Sequence, residues 1–370
     1  LMKQQPGKLG IREYVSITVL MVGSKASEDT PSLLSIQVQN AAWMIPILSA
    51  GLFFIPLFLL IKTISLFHEK DLFSVIEKLF GKYIGFFVCL VIFAISSFGI
   101  SVDSRTYTNI IRAYYFNTTP VLVLYGLFMA VCAYGAKRGI RNVGSVSYLL
   151  IFYTLLSLFI ALLLCTRESN IQAIMPIWGP GKWEVLKGSL KNLSLYADFF
   201  LLTMLVPYLR SSKEFRRGTW IAYIFTIILT SAATIVFVCM FDQSLGGIGY
   251  PFHSAIRYIS LGSYIPNLEI IFFVIWIMGA FIRFTAFLYI SALMFGHLFK
   301  IKDFEYLIPP LAAVYLLIGA IPETPIDVSL EWKSIVRMTA GPVFTAISLI
   351  IWLAALLKGE FKHAENKNSM

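Results

Sequence analysis

Long apolar runs alternate with short polar stretches along the whole chain. A helix needs about 20 apolar residues to cross the hydrocarbon core of a bilayer. Ten segments approach that length: 11–34, 43–61, 83–101, 121–136, 146–165, 190–209, 219–241, 268–298, 306–321 and 339–357. Two connecting stretches carry a helical pattern of their own. In 68–82, Leu72, Val75, Ile76, Leu79 and Phe80 recur at helical spacing between charged residues, which predicts an amphipathic helix on the inner interface. A short outer helix is expected over 252–261, after Gly246, Gly247, Gly249 and Pro251 end the seventh span.

Two spans are irregular. The first is apolar over 15–22, then meets Gly23, Ser24, Lys25, Ala26, Ser27, Glu28, Asp29, Thr30 and Pro31 before apolar residues resume. An α-helix through that run is poorly favoured. The sixth carries Asp198 after Tyr196 and Ala197, and Pro207 near its inner end. The simpler alternative for the first span is a short helix that ends at Gly23 and a polar outer loop. The other reading is an inverted five-plus-five repeat, because the interruptions stand five spans apart. In such folds two broken helices meet near the midplane and offer free backbone N–H and C=O groups to a solute. An amino acid suits that site, with its carboxylate at a helix N-terminus and its ammonium at free carbonyls. The repeats would cover about 11–165 and about 190–357, between tails 1–10 and 358–370. The halves share no convincing sequence identity, so the repeat rests on span count and break positions.

Composition points the same way. Of 370 residues, 58% are hydrophobic and 14% charged, against about 25% charged in soluble domains. The expected class is therefore an all-α integral membrane protein. A net charge of +10 would suit nucleic acid, but the basic residues fall in short loops, so no nucleic-acid partner is expected. With the N-terminus inside, the inner segments hold 19 Lys and Arg and the outer segments 10, which favours both termini in the cytoplasm. The polar start (Lys3, Gln4, Gln5, Pro6) argues against a cleavable signal peptide. Cys89, Cys132, Cys165 and Cys239 lie within or at the ends of apolar runs and read as packing residues. His68, His253, His297 and His363 do not cluster, so neither a metal nor another cofactor is expected. No GxSxG, P-loop, HExxH or GxGxxG motif is present, and no enzyme activity is expected.

Arg283 is the sharpest single signal. It lies 14 residues beyond Glu269 in the eighth span, roughly 21 Å along a helix. A charge at that depth costs about 2.5–3.5 kcal/mol and normally faces the protein interior. It marks either a functional path or a structural pair. Asp198 is the natural partner for a buried cation, or else a helix cap near the outer interface. Val22, Gly23 and Ser24 at one interruption, and Tyr196, Ala197, Asp198 and Phe199 at the other, are the candidate ligand-binding residues. Ser97 and Ser101 of the third span join them, although the small residues Ser96, Ser97, Gly99 and Ser101 equally suit close helix packing. Phe287 joins too, one turn after Arg283 on the same face. Asp103, Arg105 and Arg112 read as solvated charges beyond the third span, as do Glu323, Asp327 and Glu331 in the last outer loop.

Several stretches then carry a likeness to a known family. The most specific is PFHSAIRYISLGSYIPNLEIIFFVIWIMGAFIRFTAFLY at 251–289, with its Ile-Arg, Leu-Gly and Leu-Glu pairs, its Trp and its Phe-Ile-basic triplet. Others are Thr119-Pro120 followed by YGAKRGIRNVGSVSYL at 134–149, MPIWGPGKW at 175–183, AAWMIPILSAG at 41–51, and Pro207-Tyr208. Together they resemble the spore germination B-subunit family, a branch of the amino acid–polyamine–organocation superfamily. The resemblance implies a LeuT-like fold of ten helices, discontinuous at helices 1 and 6. It implies a germinant-sensing subunit in the inner membrane of a dormant spore, with an A subunit and a lipoprotein C subunit as partners. The ligand would be a small nutrient, most often an amino acid, held between helices 1, 3, 6 and 8. The alternative within the superfamily is an amino acid/proton permease. In the LeuT-like arrangement the first and eighth spans jointly hold a sodium ion. Arg283 is expected to do that bridging permanently, by donating to carbonyls of the first break. The sequence departs from many permeases in having one glycine there, Gly23, followed by Ser24 and Lys25.

Overall fold

The computed structural model describes residues 8–67, 70–259 and 268–362. The ends of the expected tails, His68 at the start of the inner helix, and the end of the 252–261 helix lie outside the described residues. In chain order the α-helices are α1 (Ile11–Gly23), α2 (Thr30–Val38), α3 (Met44–Ile64), α4 (Leu72–Phe80) and α5 (Lys82–Tyr114). Then come α6 (Val121–Lys137), α7 (Ile140–Cys165), α8 (Lys182–Lys191), α9 (Asp198–Leu201) and α10 (Ser212–Phe241). The last are α11 (Pro251–Tyr258), α12 (Leu268–Leu298), α13 (Ile308–Gly319) and α14 (Lys333–Leu357).

The protein is all-helical and integral to the membrane. Six helical stretches among the described residues are long and apolar enough to cross a bilayer, and a pair bent by 44°, Lys182–Lys191 with Leu193–Tyr208, makes a seventh. The apolar stretches Val121–Lys137 and Phe304–Gly319 are shorter. Length alone thus counts seven; the expected ten also requires α6 and α13 to cross, and α2, which the stretch Thr30–Phe67 joins to α3, to form with α1 an interrupted span of its own. Large apolar side chains such as Phe87, Leu127, Phe152 and Leu163 are exposed on the outside of the bundle, where lipid replaces water as their solvent.

Tight joints hold the packing. Gly81 (φ +80°) links α4 to α5 and Gly139 (φ +85°) links α6 to α7, both in a region that only glycine enters cheaply. Asp71 caps α4 by accepting from the Ser74 amide at 2.7 Å. The amphipathic helix exists as expected, but its apolar residues Leu72, Phe73, Val75, Ile76 and Leu79 are buried in the protein rather than laid on the interface. The short helix expected after the seventh span is present as α11.

Helix ends depart most from expectation where polar residues face protein. The third span, expected to end at residue 101, continues to Tyr114 as 33 residues of helix. Its extra turns bury Ser104, Arg105, Thr106, Thr108 and Asn109. The hydroxyls of Ser104, Thr106 and Thr108 donate to carbonyls one turn back. The tenth span likewise begins before 339: α14 starts at Lys333 and continues a π-helical turn over Asp327–Trp332, so Asp327 and Glu331, expected in the last outer loop, are helical. Arg105, Lys333 and Arg337, expected in outer loops, are therefore helix residues inside the bundle, and Arg105 is 4% exposed. With Lys25, which is also buried, four of the ten basic residues assigned to the outside drop out.

Candidate functional site

Both interruptions are present. After Gly23 the chain makes a 3-10 turn over Ser24–Ser27 and is extended at Glu28 (φ −107°, ψ −151°) before α2 starts with Pro31 in its first turn. The first-span break is thus a discontinuity within the bundle, not a solvated outer loop. In the sixth span, expected over 190–209, α8 stops at Lys191, and the six residues from Asn192 to Ala197 leave the α-helix before α9 begins. Asn192 (φ −107°, ψ +23°) makes the corner, followed by 3-10 turns over Leu193–Tyr196 and Leu202–Tyr208 on either side of the four-residue α9.

Charged side chains tie the breaks together. Lys25 Nζ donates to the carbonyls of Ser194 (3.1 Å) and Leu195 (2.9 Å) and lies 2.7 Å from Asp198 Oδ2. Asp198 is thus partnered by a buried cation, as expected, but the cation is Lys25. Arg283 is fully buried and pairs with Asp103 of α5 at 2.5 Å. Its other terminal nitrogen donates to Ser24 Oγ at 2.8 Å. It therefore holds the first break by a hydroxyl, not by the carbonyls expected. Lys333 of α14 bridges Glu28 (3.2 Å) and Asp29. The Glu28 carboxylate also accepts from the Thr30 hydroxyl at 2.8 Å. Each ion in this low-dielectric setting requires a partner, because a lone buried charge costs several kcal/mol.

Aromatic rings complete the wall around Arg283. Its guanidinium lies 5.4 Å from the Tyr107 ring centre and 5.4 Å from that of Phe287, within range for cation–π attraction. Tyr107 stacks on Trp276 at 5.2 Å. The Trp276 indole N–H donates to Ser27 Oγ at 3.1 Å, so α12 grips the first break at two levels.

Beside these pairs lies a cavity of about 80 Å³ lined from the first break and α2, α5, the sixth break, α12 and α14. It has room for several waters or one small solute. Among the expected ligand residues, Ala197, Asp198 and Phe287 line it. Gly23 and Ser24 instead line a smaller, more apolar cavity of about 40 Å³ on the other side of the first break, with Tyr107 and Trp276. Val22 is in the core and lines neither. Tyr196 points away, its hydroxyl donating to the Pro46 carbonyl at 3.0 Å. Phe199 packs against the Tyr223 ring at 5.1 Å. Ser97 Oγ lies 3.0 Å from the Tyr315 hydroxyl, and Ser101 Oγ donates to the Ser97 carbonyl at 2.8 Å.

Lys25, Glu28, Asp103 and Lys333 were absent from the expected site, and Asp103 and Lys333 were assigned to solvated segments. One signal pointed to Asp103. Ser96, Gly99 and Asp103 recur at three- and four-residue spacing, so one face of the third span carries small and polar residues past its apolar end, and that face lines the cavity. α14 supplies Lys333, Val336, Arg337, Ala340 and Phe344 to the wall, where α12 supplies Phe287.

Two discontinuous helices meeting beside a cavity define a membrane protein of the LeuT-like fold. Solved structures share it. MhsT in complex with L-phenylalanine superimposes with a TM-score of 0.67 at 15% identity, covering 93% of this chain and 88% of that one. Mhp1, a nucleobase-cation-symport-1 family transporter, gives 0.59 at 14% identity over 88% and 75%. The chain belongs to the spore permease family of spore germination proteins, whose family model matches residues 14–328. Relatives include spore germination protein B2 of Bacillus subtilis (strain 168), 23% identical over 243 residues, 64% of this chain and 65% of the relative. Spore germination protein KB of the same organism is 22% identical over 221 residues, 58% of this chain and 59% of the relative. The matched segments thus span less than two thirds of either relative's length.

Proposed function

We propose that this chain is the membrane-embedded, nutrient-sensing subunit of a spore germination receptor, binding a small germinant of amino-acid size in the cavity beside the two breaks. It sits in the inner membrane of the spore with both termini cytoplasmic, and its two halves act as inverted repeats. It works with A and C receptor subunits and catalyses no covalent reaction. The observation that carries the reading is the set of ion pairs that joins the first break to the sixth break, to α14 and, through Ser24, to α12. A ligand settling between these elements biases their arrangement, and a sensor needs only that bias passed to partners.

An amino acid/proton permease shares the fold, and fold does not separate the two. Reconstitution of the purified chain into proteoliposomes does. Binding of an L-amino acid without saturable uptake, together with co-purification of two further subunits from spores, is the expected result. Saturable accumulation by the chain alone would replace the sensor with the permease.

A further inference from the structure

Six charged side chains line the cavity: Lys25, Glu28, Asp103, Asp198, Lys333 and Arg337. Five of them have an opposite charge within 3.2 Å. Arg337 has none among the described residues. It is half-buried one turn beyond Lys333 on α14, and its guanidinium donates to Ser334 Oγ of its own helix at 3.2 Å. A guanidinium with most of its N–H groups free is a fork for a carboxylate, which it can hold by two parallel hydrogen bonds.

The opposite requirement, a place for a ligand ammonium, is already met from within. The carbonyls of Ser194 and Leu195 at the sixth break, together with Asp198, surround Lys25 Nζ with three acceptors. An ammonium has three protons to donate, so the group is saturated. A ligand amine entering there would have to strand the Lys25 charge, which is 10% exposed, in a site where an unpaired charge is costly. Leu33, Ile100 and Phe344 make the rest of the wall apolar.

Resting on the ligand-sensing reading above, we propose that the cavity selects a small carboxylate with an apolar body. Arg337 holds its carboxylate, and the α-amino group, where the ligand has one, is not read. Lys25 is a tethered ammonium that fills the amine place in every state of the site. α-Amino acids and their desamino counterparts are then equivalent ligands, and loss of the carboxylate is what abolishes binding.

The test uses the purified full chain in nanodiscs and matched trios: L-alanine, propionate and L-alaninamide; L-leucine, 4-methylpentanoate and L-leucinamide; L-phenylalanine, 3-phenylpropionate and L-phenylalaninamide. For the best trio, acid and desamino acid are expected to bind within about threefold, and the amide at least tenfold more weakly. Arg337→Gln is expected to level acid and amide, while Arg337→Lys keeps the preference in part; melting temperatures without ligand report on folding of both variants. Equal binding of acid and amide by the wild-type chain overturns the proposal. So does a tenfold or greater loss on removing the amine. If no carboxylate binds but a sugar or nucleoside does, the carboxylate class falls while ligand sensing stands. If nothing in either set binds, both fall.

Discussion

Lys25 Nζ lies 2.7 Å from Asp198 Oδ2, so the break of the first span is fastened to the break of the sixth by an ion pair at its centre. Both side chains are largely buried, 10% and 13% exposed. Removing one partner of such a pair leaves a stranded charge, at a cost of about 3–5 kcal/mol, whereas replacing both with apolar residues is often near neutral. Lys25→Met and Asp198→Leu are each expected to lower the melting temperature sharply. The double variant is expected to recover most of the loss, less about 1–2 kcal/mol for the Ser194 and Leu195 carbonyls left without a donor. Equal losses in single and double variants, measured by scanning fluorimetry in one detergent, would show that the pair does not couple the breaks.

Arg283 reaches Ser24 and Asp103 from α12 with a charge that is part of the chain. A fixed guanidinium in that position leaves no bridging task for a free cation. Ligand affinity is expected to be the same in sodium chloride and choline chloride at equal ionic strength. An affinity that climbs steeply with sodium would contradict this role. Arg283→Gln is expected to unfold or inactivate the chain by leaving Asp103 unpaired, and Asp103→Asn in the same chain is expected to restore part of the stability.

At Gly341 the backbone of α14 passes close against the sixth break. A Cβ placed there would stand 2.6 Å from the Ser194 backbone nitrogen. Neither backbone yields cheaply, so Gly341→Ala is expected to destabilise the chain by about 1–3 kcal/mol and to blunt the ligand response by shifting the Ser194 and Leu195 carbonyls. Gly51→Ala is the control, because nothing lies within 4 Å of its new methyl group. It is expected to be neutral or stabilising by up to about 1 kcal/mol. Matching melting temperatures for the two variants would discount the close approach.

His253 on the short helix α11, between two spans, is 1% exposed. Its Nδ1 lies 2.9 Å from the Tyr115 hydroxyl, and its ring stands edge-on to Trp276 at 4.5 Å. Burial pushes the imidazole down from 6.5 to about 3. The folded chain thus keeps His253 neutral where the unfolded chain protonates it, so the unfolded state gains protons below about pH 6.5 and stability is lost on acidification through that range. The melting temperature is expected to fall between about pH 7 and about pH 5. His253→Asn is expected to flatten the fall; an unchanged slope would place the titrating group elsewhere.

The sequence by itself determined the solvent, the helices and the two places where helices fail. Apolar runs of bilayer length leave lipid as the only medium that suits them, and the polar run from Ser24 to Pro31 cannot continue a helix. The burial of Arg283 was equally legible, because a mid-span charge has nowhere else to go. Partners were another matter. Lys25 was read as outside, and Asp103 and Lys333 as solvated, because hydropathy falls to loop-like values around each of them. A helix that faces protein can carry polar residues well past its apolar end where counter-charges and hydrogen bonds meet them, as Arg283 meets Asp103 and the Ile100 carbonyl meets Ser104. Whether Lys25 meets Asp198 at a separation of 173 residues, or whether Ser97 faces a cavity or Tyr315, depends on how helices distant in the chain lie against one another. That arrangement belongs to the tertiary structure alone.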